Sequence, residues 1–472
     1  MRVTSSKLAL FGVLVLIFAS ATYGSYLRSQ GPGQIRDKFI DRQYTADTAS
    51  KPGGEYGCPD CNVVVIVIDA LRADHLGHMG YGRNTSPVID GIAKGSVEFM
   101  NAYSQESYTT PSVATIFSSD YPQGHGALNL GEFSTLSDNY TTLAEALKED
   151  GYRTAAFVFN PSLHERHNLD QGFDLYDDND EGLVGDDDTE RYETASKIEK
   201  GAYEWMDGGD GRFFMYLHYR DVHFPYLPPA PYDGIFEDEG LALGYPAYQR
   251  KQISSYDGEI AYTDHMIGRI IKGIQERAGG ETVFIITSDH GEEFLDHGGW
   301  YHVRTLYEEQ LRVPLIIHYP GRDMGERVYM PVELVDLAPT ILGIVGIERP
   351  RTFRGLDMLD EGYDKKRIIA GGRAGRATII EDGIKYYRYR LQDLKKEEAL
   401  GFDLSGISFT EEVYDLRKDP YELDESGNDM PATRVELRNI ADAVSGMEGF
   451  SSGETDLPDE VKARLKDIGY IY

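Results

Sequence analysis

The chain is poor in cysteine and poor in cations. Only two of its 472 residues are cysteines, and both sit in Cys58-Pro59-Asp60-Cys61. No second pair completes a four-ligand zinc site, and a disulfide-rich scaffold is excluded. A redox pair of this spacing wants a helix after it, whereas a strand pattern follows here. A structural disulfide or a pair of free thiols fits better. Lys and Arg number 47 against 79 Asp and Glu, a formal net charge of −32. Such a surface repels DNA and RNA, which argues against nucleic acid as a partner. The acidic excess runs along the whole chain. Its local runs, 177–181 and 186–188, read as solvated loop. No internal repeat is present, which argues against a solenoid.

The length permits two or three domains with a sizeable core. Residues 8–27 carry no charge, with Arg2 and Lys7 before them and Arg28 after. An uncharged stretch of that length can just span a bilayer. Ala19-Ser20-Ala21 also resembles a signal-peptidase site. The expectation is a membrane anchor or a cleaved signal over 1–28, with the body exported in either case. A polar linker holding the two cysteines follows over 29–60. A catalytic domain is expected over 61–365 and a small C-terminal subdomain over 366–472.

Two apolar runs carry the chemistry. Val63 to Ile68 is a continuous β-branched run ending in Asp69, and Val283 to Ile286 leads into Thr287-Ser288-Asp289-His290-Gly291-Glu292. Each reads as a buried parallel strand releasing polar groups at its carboxyl end, where ligands sit in open α/β sheets. A carboxylate and an imidazole there suit a divalent cation. Asp69 could equally cap a following helix. In Ser107-Tyr108-Thr109-Thr110-Pro111-Ser112 the proline and the small residues after it put Thr109 or Thr110 at a helix N-terminus. Backbone N–H groups there favour an anion, or an alkoxide forming on a hydroxyl. Helices are expected from Ser86-Pro87, with Ser86 as cap, from Thr141, over 192–205, and from Tyr256 toward Glu276. Past residue 366 short strands follow at 367–371, 377–380 and 384–390, with a closing helix over 459–468. Residues 225–250 read as an irregular loop that sets substrate choice.

Taken together, several stretches resemble the sulfatase family of the alkaline phosphatase superfamily. They are Val67-Ile68-Asp69-Ala70-Leu71-Arg72, Thr109-Thr110-Pro111-Ser112, Thr287 to Glu292, Asp296-His297-Gly298-Gly299-Trp300, and Tyr216 to Pro225. The turn Val413-Tyr414-Asp415-Leu416 and the terminus Gly469-Tyr470-Ile471-Tyr472 add to them. The resemblance implies an α/β/α sandwich with a mostly parallel central sheet and a small C-terminal α+β subdomain. It also implies hydrolysis of sulfate esters at one divalent metal ion, Ca²⁺, Mn²⁺ or Zn²⁺, held by Asp69, Asp289 and His290. His223 is expected to assist the leaving oxygen. His302 is expected to contact the transferred anion as an imidazolium titrating near neutral pH. His218 and Arg72 read as structural, and His297 as stabilising its loop.

The chain departs from the family pattern at three places. A second acid normally follows the first Asp, and here Ala70 stands there. The Cys or Ser that becomes formylglycine is Thr109, so formylglycine is not expected and direct attack by the threonine hydroxyl is. The Arg of the same motif is Val113. These departures keep two other readings open. One is a phosphodiesterase or phospho-group transferase acting on envelope glycans or lipids. The other is a catalytically degenerate protein that binds anionic glycans.

Overall fold

Strand β1 (Asn62–Ile68) is apolar at successive positions because both of its faces are covered. Val63, Val65 and Val67 pack with helices Thr109–Ser118, Leu143–Glu149 and Leu337–Val345. Val64, Ile66 and Ile68 pack with helices Pro87–Ala93, Thr194–Asp207 and Ala247–Arg277 on the other face. The period-2 alternation of a strand thus feeds two helical layers. This computed structural model describes residues 55–128, 135–178, 194–236, 247–372, 375–389, 410–425 and 430–445. The expected leader and closing helix lie outside the described residues. Among the described residues no helix is long and apolar enough to cross a membrane.

The remaining strands of the first half are β2 (Val97–Tyr103), β3 (Arg153–Phe157), β4 (Leu175–Asp177), β5 (Phe213–Tyr219) and β6 (Thr282–Thr287). A hairpin of β7 (Glu293–Phe294) and β8 (Trp300–Tyr301) precedes β9 (Arg312–His318), β10 (Glu326–Val328) and β11 (Val332–Glu333). The main sheet runs β10, β2, β9, β6, β1, β5, β3, β4, with β11 also on β2. All its ladders are parallel except those β9 makes with β2 and β6. This is the expected α/β/α sandwich. In register, Val67 of β1 lies beside His218 of β5 and Thr287 of β6. The residues after β1, β5 and β6 therefore emerge together at one edge.

The C-terminal subdomain is an antiparallel sheet of β12 (Arg367–Gly371), β13 (Ala377–Glu381), β14 (Ile384–Tyr389) and β15 (Thr410–Asp415). Helix Pro431–Ser445 covers one face through Leu437, Ile440 and Ala441. The other face carries Ile368, Tyr387 and Tyr414, which pack on Tyr103, Leu306 and Tyr307 of the main domain.

Two local expectations are corrected. The long helix begins at Ala247 and not at Tyr256, so the end of the expected 225–250 loop is helical. Ser86 precedes helix Pro87–Ala93, but its side chain does not cap it. The carboxylate of Asp264, on the long helix, accepts from the backbone N–H groups of Val88 and Ile89 at 3.0 and 2.8 Å. A cap supplied from another element leaves no local sequence signal.

His297 stabilises its loop, as expected, by joining the two sheets. Its Nδ1 bonds Glu309 at 2.7 Å, its Nε2 donates to the Glu422 carbonyl at 3.2 Å, and its ring stacks on Tyr307. Burial alone would push this imidazole down; the charge of Glu309, with Glu422 and Glu293, outweighs burial and raises it to about 9. An unfolded histidine titrates near ~6.5. The pairing is therefore at full strength below that pH and is lost as pH rises through the folded value. The expected loss is on the order of 3 kcal/mol. Denaturant unfolding of wild type and His297→Gln at pH 6 and pH 9.5 checks this: wild type should lose more stability over the interval than the variant.

Candidate active site

Asp69 extends the parallel ladder by one bond, its N–H donating to the Tyr219 carbonyl at 2.8 Å. The chain then turns sharply at Ala70, whose φ is 60°. An L-residue pays about 1–2 kcal/mol for that conformation. Two bonds hold it: Ala70 N–H donates to Asp289 Oδ1 at 3.2 Å, and Tyr256 Oη donates to the Ala70 carbonyl at 2.7 Å. Leu71 N–H donates to Ser288 Oγ at 3.0 Å. The turn after β1 is thus built on the turn after β6, and each fixes the other.

The sequence-predicted site residues converge. His290 Nε2 lies 3.6 Å from Asp69 Oδ1 and 3.5 Å from Asp289 Oδ2. Thr109, at the start of helix Thr109–Ser118, places its Oγ1 3.3 Å from the same nitrogen. His290 Nδ1 lies 2.9 Å from the Gly291 carbonyl. A carbonyl only accepts, so Nδ1 carries the proton and Nε2 keeps its lone pair toward the carboxylates and the hydroxyl. Asp69, Asp289 and His290 are wholly buried. Asp69 Oδ1 and Asp289 Oδ2 have no hydrogen-bond partner among the described residues.

Two bare carboxylate oxygens and an imidazole lone pair in a dry pocket are costly unless a cation completes them. The donor set fits a divalent ion with mixed oxygen and nitrogen ligands. The titration of the carboxylates agrees. Burial, and then the charge of Asp69, push Asp289 up to about 8. Burial would raise Asp69 as well, but His223, His218 and His290 hold it below the usual carboxylate range.

Two neighbours of Asp69 were not foreseen as site residues. His218, read as structural, places Nε2 3.4 Å from Asp69 Oδ2, and one ligand atom each from Asp69, His218 and Asp289 fall within 4.8 Å of one another. Asn160, after β3, donates from Nδ2 to Asp69 Oδ2 at 2.6 Å. A polar residue directly after the apolar run Phe213 to Leu217, still within the strand, is the signal that could have found His218. Asn160 had only an Asn-Pro pair after a strand.

His223 and His302 meet each other beside the cluster, with ring centroids 4.9 Å apart, and His302 lies 4.3 Å from the His290 ring. The imidazolium expected of His302 is corrected: burial, then repulsion from His290, push it down to about 3, so it is uncharged at neutral pH. Its Nδ1 lies 3.0 Å from Glu292 Oε1, and Tyr226 Oη donates to Oε2 of the same carboxylate at 2.7 Å. Burial also pushes His223 down, to about 4, against the pull of Asp69. Its Nδ1 donates to the Phe224 carbonyl at 2.6 Å. Arg72 is structural, as expected: it is buried and paired with Asp74 at 2.8 Å and Asp296 at 3.0 Å.

Val113, at the position of the family's arginine, is wholly buried among apolar residues. A different arginine steadies this segment. Arg376, on the turn between β12 and β13, pairs with Glu106 at 2.9 Å, and both are buried. Glu106 accepts from Ser107 N–H at 2.9 Å, two residues before Thr109. Arg376 also bonds the Val303 carbonyl, next to His302. The C-terminal subdomain thereby pins both the Thr109 and the His302 segments. Arg376→Met leaves a buried carboxylate unpaired and should cost about 3–5 kcal/mol. Denaturant unfolding checks it, and Arg376→Met combined with Glu106→Gln should recover at least half of the loss.

A family model described as Sulfatase matches residues 61–347. An ulvan-active sulfatase of Formosa agariphila is 27% identical over 333 residues, spanning 63% of this chain and 64% of that relative. An arylsulfatase of Clostridium perfringens is 26% identical and covers 84% of this chain and 96% of its own length. The phosphonate monoester hydrolase of Agrobacterium radiobacter has a similar fold, with TM-score 0.66 and 19% identity, over 82% of this chain and 96% of its own. The family model spans more than half of the chain, over residues 61–347, and the chain belongs to the sulfatase family of hydrolases.

Proposed function

We propose that the chain hydrolyses sulfate esters of an anionic glycan, with Thr109 as nucleophile and one divalent ion held by Asp69, Asp289 and His290. The observation that carries this reading is the meeting of Thr109 Oγ1, at 3.3 Å, with a buried imidazole nitrogen beside two partnerless carboxylate oxygens. His218 sits close enough to Asp69 to join the ligands or to orient them. When bound, the ion supplies a Lewis acid that stabilises an alkoxide and the charge on the transferred group. Calcium, manganese and zinc are all compatible with two carboxylates and imidazole. The missing acid at Ala70 favours manganese or zinc.

The chain's own groups carry the rest. Thr109 Oγ1 attacks sulfur, forming a new S–O bond, and the bond from sulfur to the ester oxygen breaks. The threonine proton passes to His223 Nε2, Nδ1 being committed to the Phe224 carbonyl, and from there to the departing oxygen. Water then cleaves the sulfo-threonine to sulfate and free enzyme. Helix Thr109–Ser118 directs its N-terminal backbone N–H groups at the reacting anion. The uncharged His302, anchored by Glu292, is a hydrogen-bonding partner for the transferred group. Phe224 and Tyr301, with ring centroids 4.7 Å apart, and Tyr108 form aromatic surface beside these histidines. Such surface suits the apolar face of a sugar or an aryl group.

A phosphodiester is the second reading. Direct displacement by a threonine hydroxyl serves phosphorus as well as sulfur, and no aldehyde precursor stands at position 109. The uncharged stretch of sequence at 8–27 and the Cys58–Cys61 disulfide support work outside the cytoplasm, at the membrane or secreted.

Two measurements test the reading. Thr109→Ala should lower turnover of an aryl sulfate, or of a bis-aryl phosphodiester if that is the substrate, by at least ~10³-fold. Retained turnover removes Thr109 from its role, and no turnover by wild type of either ester with Mn²⁺, Zn²⁺ or Ca²⁺ supports binding alone. Separately, Mn²⁺ should raise the melting temperature of wild type and of Thr109→Ala, but not of Asp289→Asn.

A further inference from the structure

We propose that the chain carries a second anion site, remote from Thr109, in a cleft between the glycine-rich turn after β1, helix Pro87–Ala93 and β10. The site fits a small hydroxylated anion, namely a sugar bearing a sulfate, phosphate or carboxylate group. The cleft has a volume of about 550 Å³, enough for a substituted monosaccharide, and His78, Arg83, Asn84, Asp90, Lys94 and Arg327 line it.

Charge is the first argument. The chain carries a formal net charge of −32, so its general surface repels anions. Of the cationic side chains that line this cleft, Arg83 is buried and paired with Asp257 at 2.8 Å, so Lys94 and Arg327 are the two that face a ligand. Lys94, exposed at the end of helix Pro87–Ala93, pairs with no carboxylate among the described residues. Arg327 is half exposed and shares the single carboxylate of Glu98 with His78. Glu98 takes only part of the Arg327 guanidinium, which carries five N–H donors.

The second argument is a buried atom. The His78 side chain is only 3% exposed, and its Nε2 has no partner among the described residues. Nδ1 is committed to Glu98 Oε1, so Nε2 offers a lone pair when the ring is neutral and a proton when it is charged. A sugar hydroxyl satisfies the first state and an oxyanion the second. Asp90 and Asn84 add acceptors for hydroxyl groups. Asp90 is fixed by the His78 N–H at 2.8 Å and Ser86 Oγ at 2.9 Å. Gly77 is required at the floor, since a Cβ there would stand 2.2 Å from Asp90 Oδ2.

The cleft is separate from the catalytic centre. Glu98 of β2 lies level with Ile316 of β9, Ile286 of β6 and Ile66 of β1. It therefore stands three strands across from β1, about 14 Å at the usual strand spacing, and below the edge where Asp69 emerges.

Calorimetric titration of the full chain carrying Thr109→Ala tests the proposal, with glucose 6-sulfate, inorganic sulfate and glucose as probes. Glucose 6-sulfate should bind, and Lys94→Glu with Arg327→Gln should weaken that binding at least 10-fold. Inorganic sulfate should bind more weakly than the sugar ester, and glucose more weakly still. In crystals, the ester should occupy the space between Lys94 and Arg327. Unchanged affinity in the cleft variant, density at the Asp69 site alone, or glucose binding as tightly as the ester would overturn the anion site. Inorganic sulfate binding as tightly as the ester would overturn its hydroxyl half. Turnover of an aryl sulfate by chain carrying only the cleft substitutions should equal wild type, which separates failure here from failure of the catalytic reading.

Discussion

Two carboxylates facing each other out of water constrain the rest of the site. Asp69 and Asp289 each end a strand whose neighbours are apolar on both sides. Neither has enough hydrogen-bond donors to satisfy it locally. Their repulsion in a medium of low dielectric is worth several kcal/mol. The surrounding chain answers with imidazoles and with an amide from Asn160. Even so, burial leaves Asp289 holding a proton up to about pH 8. A centre so short of positive charge suits a cation, and burial keeps the nearby His223 and His302 uncharged at neutral pH.

The parallel ladder makes that convergence possible. Strands β5, β1 and β6 run side by side in one direction, so residues hundreds of positions apart arrive at the same height. Helix Thr109–Ser118 then brings the hydroxyl in from one layer, while Tyr256 of the long helix props the Ala70 turn from the other. The strain at Ala70 is tolerated because bonds from the turn after β6 and from the long helix overdetermine it.

Much of this was legible in residue order. The runs Val63–Ile68 and Val283–Ile286 announce two-sided burial, and acids at their ends announce the site edge. The strands at 367–371, 377–381 and 384–389 follow from β-branched runs and an Asp-Gly turn. What escaped was carried by partners distant in sequence. His218 is a strand residue like its neighbours until the register sets it beside Val67. Ser86 has the residue type of a cap, yet Asp264 supplies the bond. The charge of His302 depended on burial and on His290, neither of which a single strand pattern contains.

The Arg376–Glu106 clamp has a consequence for how the molecule is divided. A boundary near residue 365 separates the two sheets by topology, but a buried ion pair across it ends at Glu106, three residues before Thr109. The smaller sheet is therefore a wall of the reaction chamber and not an appendage. A chain cut at that boundary would lose the guanidinium and leave the Glu106 carboxylate buried and unpaired beside the Thr109 segment.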